Sequence, residues 1–198
     1  MHERVISRAH PGAMGMLLTV VGAATLTAAC AQVSFGYPVP TTLQTLAVLG
    51  SAAFLGARRG AAGQVLYLGA GATGMPVFAQ GHGGLDWLMQ ADLSHASGGY
   101  LWGYPLAALA VGWICDRYGT SFYVSVPAML VGSVCLYATG LVWLHQAIPT
   151  SWTGAGATTL HYGLWPFVVG DVAKIFAAAA IIDPAAPWGR LLGRLRFE

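Results

Sequence analysis

Two charges in the sequence stand where charges are costly. Asp171 and Lys174 lie inside the stretch from Leu160 to Ile182, which holds no other Asp, Glu, Lys or Arg. A charge at the middle of a bilayer costs between about 3 and more than 10 kcal/mol, so it persists where it is paired, hydrated or used. At positions i and i+3 of a helix the two side chains share one face, about 60° apart. A carboxylate accepts N–H donors, and an ammonium donates to a carbonyl or carboxylate. Such a pair suits a small neutral or anionic molecule carrying amide-like N–H groups together with acceptors. A structural ion pair locking the helix to its neighbours is the bland alternative, and a proton relay is a third.

Other residues belong to the same neighbourhood. His161, Trp165 and Pro166 fall in the half of this stretch that precedes Asp171. Pro166 frees backbone groups and kinks a helix, which opens space there. A long loop over residues 79–97 carries Gln80, with an amide that both donates and accepts, and Gly81, whose backbone N–H a ligand can approach closely. A plain connector is the alternative for that loop. His82 and His95 are thirteen residues apart, a spacing that argues weakly for a metal, and none is expected. Among the aromatics Trp87, Tyr100, Trp102, Tyr104, Tyr162 and Trp165, most suit an interfacial belt. Tyr100, just after Gly98 and Gly99, is the one placed to turn inward over a ligand ring. Ala24 and Ala28 form a small-xxx-small pair that admits a second helix at close range, from this chain or from a partner.

The elements that must position these residues follow from the charges. Only 8% of the 198 residues are charged and 56% are hydrophobic, against roughly 25% charged in a soluble domain. That composition excludes a disordered chain and leaves too few charges to coat a soluble globule. Three cysteines make no disulfide framework. A net charge of +2 with no basic cluster outside the termini argues against nucleic acid. No Asp, Glu, Lys or Arg lies between Arg8 and Arg58, Arg59 and Asp86, Asp92 and Asp116, or Arg117 and Asp171. Spans of about 20 residues fit these gaps, and Pro and Gly divide the longer ones. The result is an all-α, polytopic membrane protein, one integral domain over residues 1–198. Its six transmembrane helices lie at about 14–34, 41–57, 60–77, 98–115, 121–145 and 160–182. The stretch Leu85 to Leu93 could add a short amphipathic helix between spans three and four. Arg4, Arg8, Arg58, Arg59, Arg117, Arg190, Arg194 and Arg196 all fall on one side of this arrangement. The opposite loops carry no Lys or Arg, so the positive-inside rule puts both termini in the cytoplasm. Thr27-Ala28-Ala29-Cys30 loosely matches a lipoprotein signal, but the five spans that follow favour a retained helix.

Four stretches, taken in order, resemble the BioY family. They are Pro38-Val39-Pro40-Thr41-Thr42-Leu43-Gln44-Thr45, Gly74-Met75-Pro76-Val77-Phe78-Ala79, Ser97-Gly98-Gly99-Tyr100-Leu101-Trp102-Gly103-Tyr104, and Pro166-Phe167-Val168-Val169-Gly170-Asp171-Val172-Ala173-Lys174. BioY proteins are the biotin-binding membrane subunits, or S components, of energy-coupling factor (ECF) transporters in the bacterial cytoplasmic membrane. The resemblance implies a six-helix S-component bundle with an outward-facing biotin pocket. It implies that Asp171 and Lys174 contact the vitamin, with polar loop residues helping; Gln80, Gly81, Tyr100 and Trp165 are the further ligand candidates that the residues themselves offer. It further implies that Ala24 and Ala28 face a transmembrane coupling subunit, which works with ATPases. The sequence departs from the family in the loop, at Gln80-Gly81-His82-Gly83-Gly84 and Asp92-Leu93-Ser94-His95-Ala96.

The expected function is therefore biotin uptake, by a high-affinity binding subunit with no catalysis and no cofactor of its own. It sits in lipid and is energised by a partner ATPase module, or it acts alone; a homo-oligomer stays open. No stretch reads G-x-x-x-x-G-K-[ST], so ATP chemistry would come from a partner. An S component for a different vitamin is the nearest alternative. An intramembrane enzyme using Asp171 with His161 is more distant: ten residues of helix separate them by about 15 Å.

Overall fold

The computed structural model describes residues 12–148, 150–154 and 158–183. Arg4, Arg8, Arg190, Arg194, Arg196 and Pro149 lie outside the described residues.

The chain is built from helices α1 (Ala13–Gln32), α2 (Gln44–Leu55), α3 (Ala57–Ala72), α4 (Asp86–Met89), α5 (Gly98–Tyr118), α6 (Phe122–Ala147), α7 (Thr159–Gly163) and α8 (Trp165–Ile182). Two short strands, β1 (Ser34–Phe35) and β2 (Thr41–Thr42), join α1 to α2. Among the described residues, three stretches are long and apolar enough to cross a membrane: α1, α6, and the α7–α8 segment from Thr159 to Ile182. Helix α1 runs unbroken through Cys30.

Helices α2 and α3 are shorter than a full span, at 12 and 16 residues. The expected second span begins at residue 41, but Thr41 and Thr42 pair in antiparallel register with Phe35 and Ser34. Backbone groups satisfied in a ladder are not available to a helix, so α2 starts three residues later than the sequence suggests. The expected sixth span is likewise divided. Leu164 leaves helical geometry (φ −124°, ψ −62°) between α7 and α8. Pro166 does not kink a continuous helix; it sits in the first turn of α8, where its missing N–H costs nothing.

Small residues set how closely the helices pack, as they do where lipid replaces water around a bundle. A Cβ at Gly112 of α5 would fall 2.3 Å from the Ala57 backbone nitrogen at the start of α3. At the same end the Asp116 carboxylate accepts the Ala57 N–H at 2.9 Å, and Asp183 at the end of α8 accepts the Phe122 N–H that opens α6. Arg58, Arg59 and Arg117 therefore lie at one end of the bundle. The 33–43 hairpin and the 73–97 segment lie at the other, where Gln80 joins them.

The core between these ends is formed by small and aliphatic residues, among them Val48, Ala52, Ala107, Val111, Ala128 and Met129. Outward faces are as apolar as the inside: Leu18, Phe54, Val65, Trp113, Val134 and Ile181 are exposed. An exposed apolar surface of this extent is that of a protein whose solvent is lipid.

Candidate binding site

Asp171 is buried, with 6% of its surface exposed, and both of its oxygens are occupied. Oδ1 accepts from the Thr45 hydroxyl at 2.9 Å and from Lys174 Nζ at 2.8 Å. Oδ2 accepts from the Tyr137 hydroxyl at 2.6 Å. Lys174 Nζ also reaches Thr45 Oγ1 at 3.3 Å. The i, i+3 spacing on α8 makes the ion pair, α2 contributes Thr45, and α6 contributes Tyr137. Three helices thus converge on one carboxylate. Burial leaves such a charge costly unless its lone pairs are filled, and here partners are provided for both oxygens.

The arrangement keeps capacity to spare. A carboxylate offers about four acceptor positions and an ammonium three donors, so three bonds to Asp171 and two from Lys174 leave one position of each kind. A cavity adjoins the pair. Its walls include Asp171, Lys174, Thr45, Tyr137 and Gln44 on the polar side, and Val39, Phe78, Trp87, Tyr100, Tyr104 and Phe167 on the apolar side. An apolar chamber with a few convergent polar groups is the usual form of a small-molecule site.

A second polar chain leads away from the cavity at Thr42 and Gln44. Thr42 Oγ1 donates to Gln44 Oε1 at 3.0 Å, Gln44 Nε2 donates to the Tyr67 hydroxyl at 2.7 Å, and that hydroxyl donates to the Val77 carbonyl at 3.1 Å. It fixes the Gln44 amide and ties the head of α2 to the start of the 77–84 loop. The Tyr67 ring stacks near Tyr104, with centroids 6.2 Å apart.

Tyr100 lines the cavity. Its hydroxyl donates to the Gly163 carbonyl at 2.7 Å. The break at Leu164 explains that bond. The Phe167 N–H, which an unbroken helix would give to Gly163, bonds to the Leu164 carbonyl instead. The carbonyl freed at the end of α7 is then filled by a side chain from α5.

The other expected residues lie elsewhere. Gln80 and Gly81 are exposed and outside the cavity walls. Gln80 adopts a left-handed conformation (φ 62°). Its N–H is donated to Ser34 Oγ at 3.2 Å and its side-chain amide to the Gly36 carbonyl at 3.4 Å. It braces the two loops whose neighbours, Ala79, Val39 and Pro40, do line the cavity. Trp165, 64% exposed, is not among the cavity walls. His161 is also exposed and not in the walls. His82 and His95 are each packed on the Trp87 ring. Asp92 accepts the His95 ring and the N–H groups of Ser94 and His95. Desolvation raises its carboxyl, but these bonds outweigh that effect and hold it below the usual value. Ala24 is buried in the chain's own core with Ala28 packed against it. The close neighbour there is α3, where a Cβ at Gly63 would meet the Ala23 methyl at 2.7 Å.

Sequence reasoning missed Thr45, Tyr137 and Gln44. A faint signal existed, since all three are polar groups inside or heading apolar helices, and two stand in the Pro38–Thr45 stretch already singled out.

The comparisons agree with this architecture. A solved S component for biotin from an ECF-type ABC transporter superposes with a TM-score of 0.73 over 85% of this chain and 89% of that one, at 21% identity. A probable biotin transporter BioY of Lysinibacillus sphaericus is 34% identical over 166 residues, covering 83% of this chain and 81% of its own. The biotin transporter BioY of Rhizobium etli is 35% identical over 158 residues, covering 75% and 79%. That of Thermotoga maritima is 33% identical over 144 residues, covering 73% and 79%. The family profile described as BioY matches residues 4–190. With a family profile over nearly its whole length and relatives above 30% identity across most of theirs, the chain belongs to the BioY family.

Proposed function

We propose that the protein is the biotin-binding subunit of a biotin uptake system in the bacterial cytoplasmic membrane, an S component of the ECF type. It performs recognition and not catalysis, and biotin is its transported ligand. The observation that carries this reading is the buried Asp171–Lys174 pair, held by Thr45 and Tyr137 and facing an apolar, aromatic-walled cavity. Biotin has matching chemistry: a ureido ring with two N–H donors and a carbonyl, an apolar bicycle, and a carboxylate tail. Asp171 has an acceptor position left for a ureido N–H, and Lys174 has a donor left for a ligand oxygen. Tyr100, Tyr104 and Phe167 cover the bicycle. Gln80 and Gly81 act from outside the walls by bracing the loops at the mouth. Because each buried group is matched, an analogue lacking one ureido N–H leaves Asp171 short of a partner and binds weakly.

Six spans place both termini in the cytoplasm and the cavity at the outer end, opposite Arg58, Arg59 and Arg117, the whole chain forming one membrane domain. Energy comes from a transmembrane coupling subunit with its ATPases. Since Ala24 is buried in the chain's own core and Ala28 is packed against that core, the part of α1 open to a coupling helix is the neighbouring strip of Gly22, Thr25 and Ala29, all exposed. A thermal-shift screen of the purified protein against a panel of vitamins tests the assignment. One large upward shift, with biotin, is expected; a larger shift with another vitamin would move the protein to a different substrate.

A further inference from the structure

Trp87 forms part of the outer wall of the cavity, and two imidazoles hold its indole. The His82 ring lies over it nearly face to face, with centroids 4.6 Å apart and planes at 31°. The His95 ring meets it edge-on, at 5.1 Å and 82°. Each imidazole is itself tethered. His82 Nδ1 lies 2.8 Å from the Ala79 carbonyl oxygen, and His95 Nδ1 lies 2.8 Å from Asp92 Oδ1.

The backbone around Trp87 is pinned to the helices: before it, the Gly84 N–H donates to the Gly71 carbonyl at 2.7 Å, and after it two indoles do the same work. Trp102 Nε1 donates to the Leu88 carbonyl at 2.9 Å, and Trp143 Nε1 donates to the His95 carbonyl at 3.0 Å. The first turn of α5 presses on the Trp87 carbonyl so closely that a Cβ at Gly98 would stand 2.2 Å from it. With its backbone fixed at these points, the freedom left to Trp87 is rotation of its side chain. The two imidazoles pack against that side chain from two directions, one across its face and one edge-on.

We propose that His82 and His95 are positioning residues for Trp87, and that Trp87 closes the cavity over the ring system of the bound ligand and sets how long it stays. This rests on the reading of the cavity as the biotin site. Aromatic pairs add about 0.5–1.5 kcal/mol beyond simple burial, which corresponds to roughly 3- to 10-fold in a rate. The polar contacts to Asp171 and Lys174 are untouched by either imidazole, so the effect falls on the dissociation rate and leaves selectivity among analogues in place.

The test is the release of labelled biotin from the purified full-length protein after a chase with unlabelled biotin. His82→Ala and His95→Ala are each expected to speed release about 3- to 10-fold, and Trp87→Ala at least as much as either. His82→Phe, which keeps a flat ring, restores slow release. His82 is exposed, so neither substitution there opens the core. Biotin is also expected to shift the tryptophan emission of the wild type, and Trp87→Phe to diminish that shift. Wild-type release rates in both alanine variants would overturn the proposal, as would a His82→Phe variant that releases as fast as His82→Ala. A wild-type protein that binds no biotin would instead overturn the proposed function.

Discussion

At the scale of single residues, the candidate site centres on a carboxylate whose partners come from three helices. Asp171 and Lys174 were legible in the sequence because charge is rare in this chain and these two fall far from any loop. Thr45 and Tyr137 were not, because a hydroxyl in an apolar helix carries no charge signature. Which face it occupies is decided by how α2 and α6 rotate against α8. Gln80 was legible as a polar loop residue, but the left-handed turn that sends its amide to the Gly36 carbonyl depends on the neighbouring hairpin. If Tyr137 serves to aim Asp171 Oδ2, Tyr137→Phe removes one charge-assisted donor and keeps the ring. It is expected to weaken biotin binding by about 1.5–3 kcal/mol, roughly 10- to 150-fold, with little change in melting temperature. Unchanged affinity by isothermal titration would remove Tyr137 from the site.

At the scale of elements, the positions of the helices followed from charge gaps and from Pro and Gly, while their ends did not. The start of α2 is displaced by a two-residue strand pair, and the sixth span is divided at Leu164. The first depends on a local hairpin, with Ser34 and Phe35 as the partner strand; the second frees a carbonyl that the Tyr100 hydroxyl, distant in sequence, fills. The division at Leu164 also makes the cavity wall, since it lets α7 pack against Tyr100 while α8 brings Phe167, Asp171 and Lys174 alongside. Close packing is the other requirement. Gly112 lets α5 lie against the α2–α3 corner, and a methyl group there would strike the backbone at Ala57. Gly112→Ala is therefore expected to destabilise the fold by about 1–3 kcal/mol, read as a lowered melting temperature in detergent. The same substitution at Gly22, where the space is open, is expected to leave stability nearly unchanged. Equal effects of the two would contradict the packing described here.

At the scale of the whole molecule, the bundle has a charged end and a ligand end. The arginines at 58, 59 and 117 lie with the helix-capping Asp116 and Asp183, and the cavity opens among the loops opposite. That polarity was readable from arginine placement alone, because the positive-inside bias acts on short loops irrespective of tertiary contacts. The chamber was not readable, because its walls are drawn from segments more than a hundred residues apart. Thiol labelling of intact cells tests the orientation: a cysteine replacing Ser94 is expected to react with a membrane-impermeant reagent, and one replacing Arg58 only after permeabilisation. The reverse pattern would invert the topology. The central claim is that the buried Asp171–Lys174 pair is the polar anchor of a biotin site. Equilibrium binding of labelled biotin to the purified wild type, Asp171→Asn and Lys174→Ala tests it most directly. Tight binding by the wild type is expected, with each variant weakened at least about tenfold, since each loses a charged hydrogen-bonding group. Undiminished binding in both folded variants would contradict it.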